Sequence, residues 1–302
     1  MPVMNMEELK AALYSGTVKN VILDTDAYNE IDDQYAIAYT MLSGDRVNLL
    51  SINAAPFHNS RSTGPADGME KSYNEIFRIM SLVDPEAKIP VYRGSTRFMT
   101  SKDDPVDSEA ADNIINTVMN SDELVYIVAI GAITNVASAI VKCPEIAEKA
   151  VVIWLGGHAL HWQDTKEFNL KQDIPAAQVI FDSGVAFVQI PCNGVCTEFS
   201  TTVPEINYYL KGKNELCDYL CEITAAYNRK GVPAWSKIVW DVTAVAAIVK
   251  PESEDMVIIP TPYVTCDGRY AFDGARHPYI YVRRIKRDAL YADLFAKLAE
   301  KQ

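Results

Sequence analysis

The sequence predicts an α/β fold, a mainly parallel open sheet with helices on both faces, and three observations carry that prediction. Short β-branched and aliphatic runs alternate with segments of helical period along the whole chain. Two runs, 124–130 and 151–155, are apolar throughout, as strands covered on both faces are. Polar residues gather where those strands should end, the place at which open α/β sheets hold ligands. The chain has 302 residues, 49% hydrophobic and 23% charged, so it can bury a large core. It shows no repeat, low-complexity tract or linker, and one domain over residues 1–302 is expected.

In order, a short helix over 7–13 closes at Ser15-Gly16 ahead of a strand at 21–23. That strand ends in Asp24-Thr25-Asp26; a polar turn, 27–31, leads to Asp32-Asp33 and a helix over 35–42. A strand at 47–53, a long polar loop at 54–68 and a helix at 69–82 follow, then a short strand at 89–92 and a helix at 108–120. The run 124–130 enters Gly131-Ala132-Ile133-Thr134-Asn135 and a helix at 136–142, and 151–155 enters Gly156-Gly157-His158. Beyond a polar loop at 161–169, Asp173 caps a helix that runs through 176–181, and 186–190 is a strand. Helices at 214–230 and 242–249, strands at 256–259 and 278–282, and a helix at 288–299 complete the chain.

Four aspartates, Asp24, Asp26, Asp32 and Asp33, fall within ten positions, and folding would crowd them further unless a cation sat among them. Oxygen-only ligands suit Ca²⁺ or Mg²⁺ rather than zinc. Asp32 also stands where it can cap the following helix, and Asp241, alone in the apolar run 238–244, reads as a cap by itself. Capping leaves Asp24 and Asp26 unexplained. A net charge of −12 and a pI near 4.8 disfavour nucleic acid or an anionic membrane as partner and favour a small ligand or a metal. Residues 1–20 lack a basic start followed by an apolar core, and no later run is long enough to span a bilayer, so a cytoplasmic protein is expected. The six cysteines, with no Cys-x-x-Cys, are expected to be free buried thiols.

Asp24-Thr25-Asp26 with Asp32-Asp33, Gly131 to Ala137, Gly156-Gly157, Glu167-Phe168-Asn169 with Asp173, and Asp241 occur in the order seen in the inosine–uridine-type nucleoside hydrolases. The chain resembles that family over about residues 20–250. The resemblance implies a Ca²⁺-dependent hydrolase of ribosyl compounds, assembled as a homodimer or homotetramer, with Asp26 removing a proton from a Ca²⁺-bound water. It implies that Asp26, Asp33, Asp241 and the Thr134 carbonyl surround the metal, with Asp24 ordering them from behind. Asp32 and Asn169 would take ribose hydroxyls and Glu167 the 5′-hydroxyl, while Asn59, with His58 beside it, answers a further substrate-binding asparagine.

Three positions depart from the family pattern. The 27–31 loop is two residues longer; Trp240 stands where many members carry a histidine that protonates the leaving base; and an asparagine on the ribose side has no match, His161 standing near it. His161 is therefore the acid expected, ahead of His58, His158 and Tyr28, and Trp240 is expected to stack on a planar aglycone. Trp162, Trp235 and Tyr227 are expected either at the pocket or in the core or a subunit interface. Two other readings compete: a riboside-binding protein that has lost catalysis, as Trp240 suggests, and an aspartyl-nucleophile phosphatase. The second starts from the likeness of Asp24-Thr25-Asp26 to a haloacid-dehalogenase-type strand and is opposed by Tyr28 and by the early Asp pair.

Overall fold

Each of the eight apolar runs that the sequence marks as a strand joins one sheet in the computed structural model, which describes residues 5–228 and 230–301. The first half of the chain lays down α1 (Met6–Tyr14), β1 (Lys19–Thr25), α2 (Asp33–Met41), β2 (Val47–Ala54), α3 (Pro65–Val83), β3 (Val91–Arg93) and α4 (Glu109–Asn120). It continues with β4 (Val125–Ala129), α5 (Thr134–Lys142), β5 (Ala150–Leu155), α6 (Phe168–Gln172), α7 (Ile174–Ser183) and β6 (Ala186–Ile190). The second half adds β7 (Ser200–Thr202), α8 (Val203–Leu210), α9 (Glu215–Tyr227), β8 (Ser236–Ile238) and α10 (Val242–Val249). It ends with β9 (Glu254–Pro260), β10 (Tyr263–Val264), β11 (Tyr270–Ala271), β12 (Pro278–Ile285) and α11 (Arg287–Ala299).

The sheet runs β3-β2-β1-β4-β5-β6-β12-β9, parallel throughout except for the β12/β9 pair. Strand order reverses between β1 and β4, since the chain proceeds from β1 outward to β3 and returns on the other side to β4. The crevice beyond the carboxyl ends of those two strands is where doubly wound sheets bind ligands. Side chains alternate across the sheet: Val21 and Leu23 enter the core shared with α2, α10 and α11, and Ile22 enters the core shared with α4, α5 and α7. Both faces are thus covered, which is why β4 and β5 read as apolar at every position.

The sequence left four small strands unmarked. β7/β8 and β10/β11 form two-stranded pieces of two or three residues per strand, too short to carry a period. Helices α6 and α8 were also unmarked; α6 has five residues and begins inside the end of the expected polar loop. Helix α3 begins at Pro65, earlier than the apolar pattern suggested, because proline is suited to the first turn, where its missing N–H is not needed. Helix α9 stops at Tyr227, short of the expected 230, and Arg229 lies outside the described residues. All six cysteines are free, four of them buried, with Cys143 half-buried and Cys266 exposed. No helix among the described residues is long and apolar enough to cross a membrane.

Candidate functional site

The end of β1 carries the first two carboxylates. Asp24 is buried and accepts from Asn135 Nδ2 at 2.9 Å, while Asn135 Oδ1 accepts from the backbone N–H and hydroxyl of Ser95 at 2.7 and 2.8 Å, which fixes the amide. Burial pushes Asp24 up to about 7. Asp26, 1% exposed, has no hydrogen-bond partner on either carboxylate oxygen among the described residues. Burial, then the neighbouring Asp33 and Asp32 charges, hold its carboxyl well above the usual range. Gly131, beyond β4, makes room for it: a Cβ there would lie 3.0 Å from Asp26 Cγ.

The other two acids come from helix starts. Asp32 precedes α2 and Asp241 precedes α10, both at cap positions, yet neither side chain bonds to its helix. The capping expected of each is therefore replaced by tertiary contacts. Asp32 pairs with Lys237 Nζ at 3.0 Å; Asp33, the first residue of α2, accepts from the Thr25 hydroxyl at 2.6 Å. Asp32, Asp33 and Asp241 each bring one oxygen within 4.8 Å of the others. Burial and the Asp32 charge raise Asp33 to about 7; burial, Asp32, Asp33 and Asp26 raise Asp241 well above its ordinary value. Mutual repulsion in a dry site and an oxygen-only donor set are what a hard divalent cation relieves, so these residues fit such an ion. Thr134 is buried in the first turn of α5, its hydroxyl donating to Asp173 at 2.7 Å.

Above the acids opens a cleft of about 310 Å³, lined in part by Asp32, Asp241, Trp240, Glu167 and Asn169. Glu167 ends the polar loop and caps α6: its carboxylate accepts from the N–H groups of Gly157 at 2.9 Å and Asn169 at 2.7 Å, and from that of Leu170. Asn169 Nδ2 donates to the carbonyls of Ile130 and Leu155 at 3.1 and 3.0 Å, tying the loop across the ends of β4 and β5. Asp24, Asp26, Asp33 and Thr134 lie buried and do not line the cleft.

The histidines fall otherwise than the sequence suggested. His161 is exposed, its ring against Trp162, and does not line the cleft; the loop turns it outward over Gly194. His158, 8% exposed, does line it, with the Asn193 N–H donating to its Nδ1 at 3.3 Å and burial lowering its pKa. His58 is exposed and outside the lining, its N–H donating to Gln172 at 2.7 Å. Asn59 reaches the cleft only through Asn29, donating to its side-chain oxygen at 2.6 Å. With Trp235 and Tyr227 it lines a neighbouring groove, and Trp162 is 46% exposed. Sequence reasoning missed Lys237, Asn29, Glu30 and the two lining lysines, Lys166 and Lys171. Only Lys237 left a trace, as the lone cation just before the apolar stretch that ends in Asp241.

Comparison with known proteins gives a consistent answer. The family model described as inosine-uridine preferring nucleoside hydrolase matches residues 21–288. The non-specific ribonucleoside hydrolase RihC of Escherichia coli is 27% identical over 252 residues, 77% of this chain and 79% of the relative. The probable uridine nucleosidase 2 of Arabidopsis thaliana is 24% identical over 236 residues, 70% of each chain. Among solved structures, a purine-preferring ribonucleoside hydrolase from Gardnerella vaginalis superposes with a TM-score of 0.77 at 21% identity, over 93% of this chain and 98% of that one. A plant nucleoside hydrolase does so with a TM-score of 0.77 at 20% identity, over 93% and 99%. The chain belongs to the inosine-uridine preferring nucleoside hydrolase family and is a hydrolase of N-glycosyl compounds.

Proposed function

We propose that this chain hydrolyses the N-glycosidic bond of a ribonucleoside in a calcium-dependent reaction, with Asp26 as the base that takes a proton from the attacking water. The observation that carries this reading is Asp26 itself: a buried carboxylate with both oxygens unpartnered, crowded by Asp33 and Asp32 beneath an open cleft. Asp26, Asp33, Asp241 and the Thr134 carbonyl would hold calcium, and Asp24, clamped by Asn135, would keep β1 in place behind them. Calcium bound there supplies positive charge that draws water and the sugar hydroxyls toward the carboxylates.

Asp32 and Asn169 orient the ribose hydroxyls, and Glu167 takes the 5′-hydroxyl while holding the loop. As the water oxygen bonds to the anomeric carbon, its proton passes to Asp26 and the C–N electron pair leaves with the base. The oxocarbenium-like state between is favoured by the carboxylates around it. Trp240 offers a face on which a planar base stacks but is no acid, His161 stands outside the cleft, and His158, which lines it, has its protonated form disfavoured by burial. The departing nitrogen therefore takes its proton from water, and bases that leave readily should react fastest. The chain would work as a homodimer or homotetramer in the cytoplasm.

The test is ribose release from purine and pyrimidine ribonucleosides and from p-nitrophenyl riboside, with chelator and after calcium is restored. Chelator-sensitive release, fastest with p-nitrophenyl riboside, is expected. Release that survives chelation would overturn the calcium assignment, and calcium-dependent binding of ribosides without any release would leave a binding protein in its place.

A further inference from the structure

The cluster of acids contains one cation that the mechanism above does not use. Lys237, in β8, is 5% exposed, and its Nζ bonds the Glu30 carboxylate and lies 3.0 Å from Asp32 Oδ1. The Tyr227 ring stands 5.5 Å from the same atom. Burial lowers the pKa of an ammonium group, but here the Asp32 and Glu30 charges more than offset it and the net direction is upward. Lys237 does not itself line the cleft, whereas both of its partners do.

Glu30 belongs to the 27–31 loop, the segment two residues longer than the family pattern. That loop is held from its other side by Arg61, which donates to the Glu30 carbonyl at 2.8 Å, and by Asn59, which donates to Asn29. Lys237 thus joins the lengthened loop, the aspartate that precedes α2 and the β7/β8 strand pair at one buried point. Without it Asp32 and Glu30 would face each other with no cation between them, and their repulsion would turn the Asp32 side chain away.

We propose that Lys237 is a positioning residue of the sugar site: a resident cation that holds the Asp32 carboxylate aimed at the ribose diol, and so fixes selectivity for ribosides over 2′-deoxyribosides. This rests on the reading that Asp32 meets the sugar hydroxyls. It separates two duties in the acidic cluster, for Asp32 already has its cation while Asp26, Asp33 and Asp241 are left to an added one. An ammonium 3.0 Å from Asp32 Oδ1 also opposes the use of that oxygen as a ligand for a divalent ion, although Asp32 has one carboxylate oxygen within 4.8 Å of Asp33 and Asp241.

The experiment measures, in saturating calcium, the Kd of a ribonucleoside and of its 2′-deoxy counterpart by calorimetry on an Asp26→Asn background, which cannot act as a base but keeps an oxygen for the metal. Lys237→Met, Asp32→Asn and the double variant are then compared with the parent. The expected result is a loss of riboside affinity of about tenfold or more on Lys237→Met, with little change for the deoxyriboside. Asp32→Asn should give a similar loss, and the double variant no more than either single one. A residue that merely held the fold together would weaken both ligands alike. Should Lys237→Met fail to fold because two carboxylates lose their partner, Glu30→Gln/Lys237→Met removes one of them and is measured in its place. Equal losses for both ligands, or losses that add in the double variant, would overturn the proposal. Absence of riboside binding in the parent would instead overturn the ribosyl reading on which it rests.

Discussion

The cleft has two sides built from the same side-chain chemistry and left in opposite states. On one side, Glu167, which lines the cleft, and Asp173, buried behind Thr134, are carboxylates with every demand met. Glu167 accepts three backbone N–H bonds, and Asp173 accepts from the Ala176 and Met99 N–H groups at 2.9 Å each and from the Thr134 hydroxyl at 2.7 Å. On the other side, Asp26 has none, and Asp241 adds its charge to those of Asp32 and Asp33. Burial raises the pKa of Glu167 and of Asp26 alike, but backbone donors oppose it at Glu167 while further carboxylates reinforce it at Asp26. Satisfied carboxylates make a frame. Unsatisfied ones in a group keep an electrostatic cost that a bound cation can remove.

Glu254 sharpens the distinction, because being unpartnered is not sufficient. It is buried at the start of β9 with neither oxygen hydrogen-bonded among the described residues, and burial alone raises its pKa well above the ordinary value. It lines none of the clefts described and has no other acid acting on it, so it reads as a neutral group in the core.

The largest effect should come from removing the base. Asp26→Ala is expected to lower kcat by about a thousandfold or more while leaving the melting temperature in chelator unchanged or higher, since a buried, crowded carboxylate is lost. A near-normal rate in a steady-state assay would show that another group takes the proton. Next, calcium at about one hundred times its Kd should stabilise the protein by about 2.7 kcal/mol, measured by urea denaturation with and without chelator. Asp26→Ala should reduce that gain, whereas a substitution at Glu167 should not.

On the framing side, Glu167→Gln places an amide NH₂ where three backbone N–H groups converge, and should destabilise by about 1–3 kcal/mol through a lower urea midpoint at constant slope. The smallest effect is expected at Glu254. Its folded pKa lies above the unfolded one, so the native state holds the extra proton and stability falls as pH rises from the ordinary glutamate value toward the folded one. Glu254→Gln should flatten that decline, add about 1 kcal/mol at neutral pH and leave ribose release unaltered. An unchanged pH profile of stability would mean that Glu254 keeps its charge in the folded protein.

The sequence alone determined the eight strands and their alternation with helices, because burial on both faces writes itself into composition at every position of β4 and β5. It also named the acids, since Asp24, Asp26, Asp32 and Asp33 crowd a stretch of chain too short to separate them. What those acids touch was decided only by tertiary structure. Asp32 and Asp241 occupy cap positions and cap nothing, because Lys237 and the neighbouring carboxylates meet them from distant parts of the chain. The outward turn of His161 and the inward one of His158 depend on where the loop after β5 crosses Gly194 and Asn193. Periodicity records how deeply one element is buried. It holds no information about which side chains from other elements arrive at the same point, and a catalytic site consists of such arrivals.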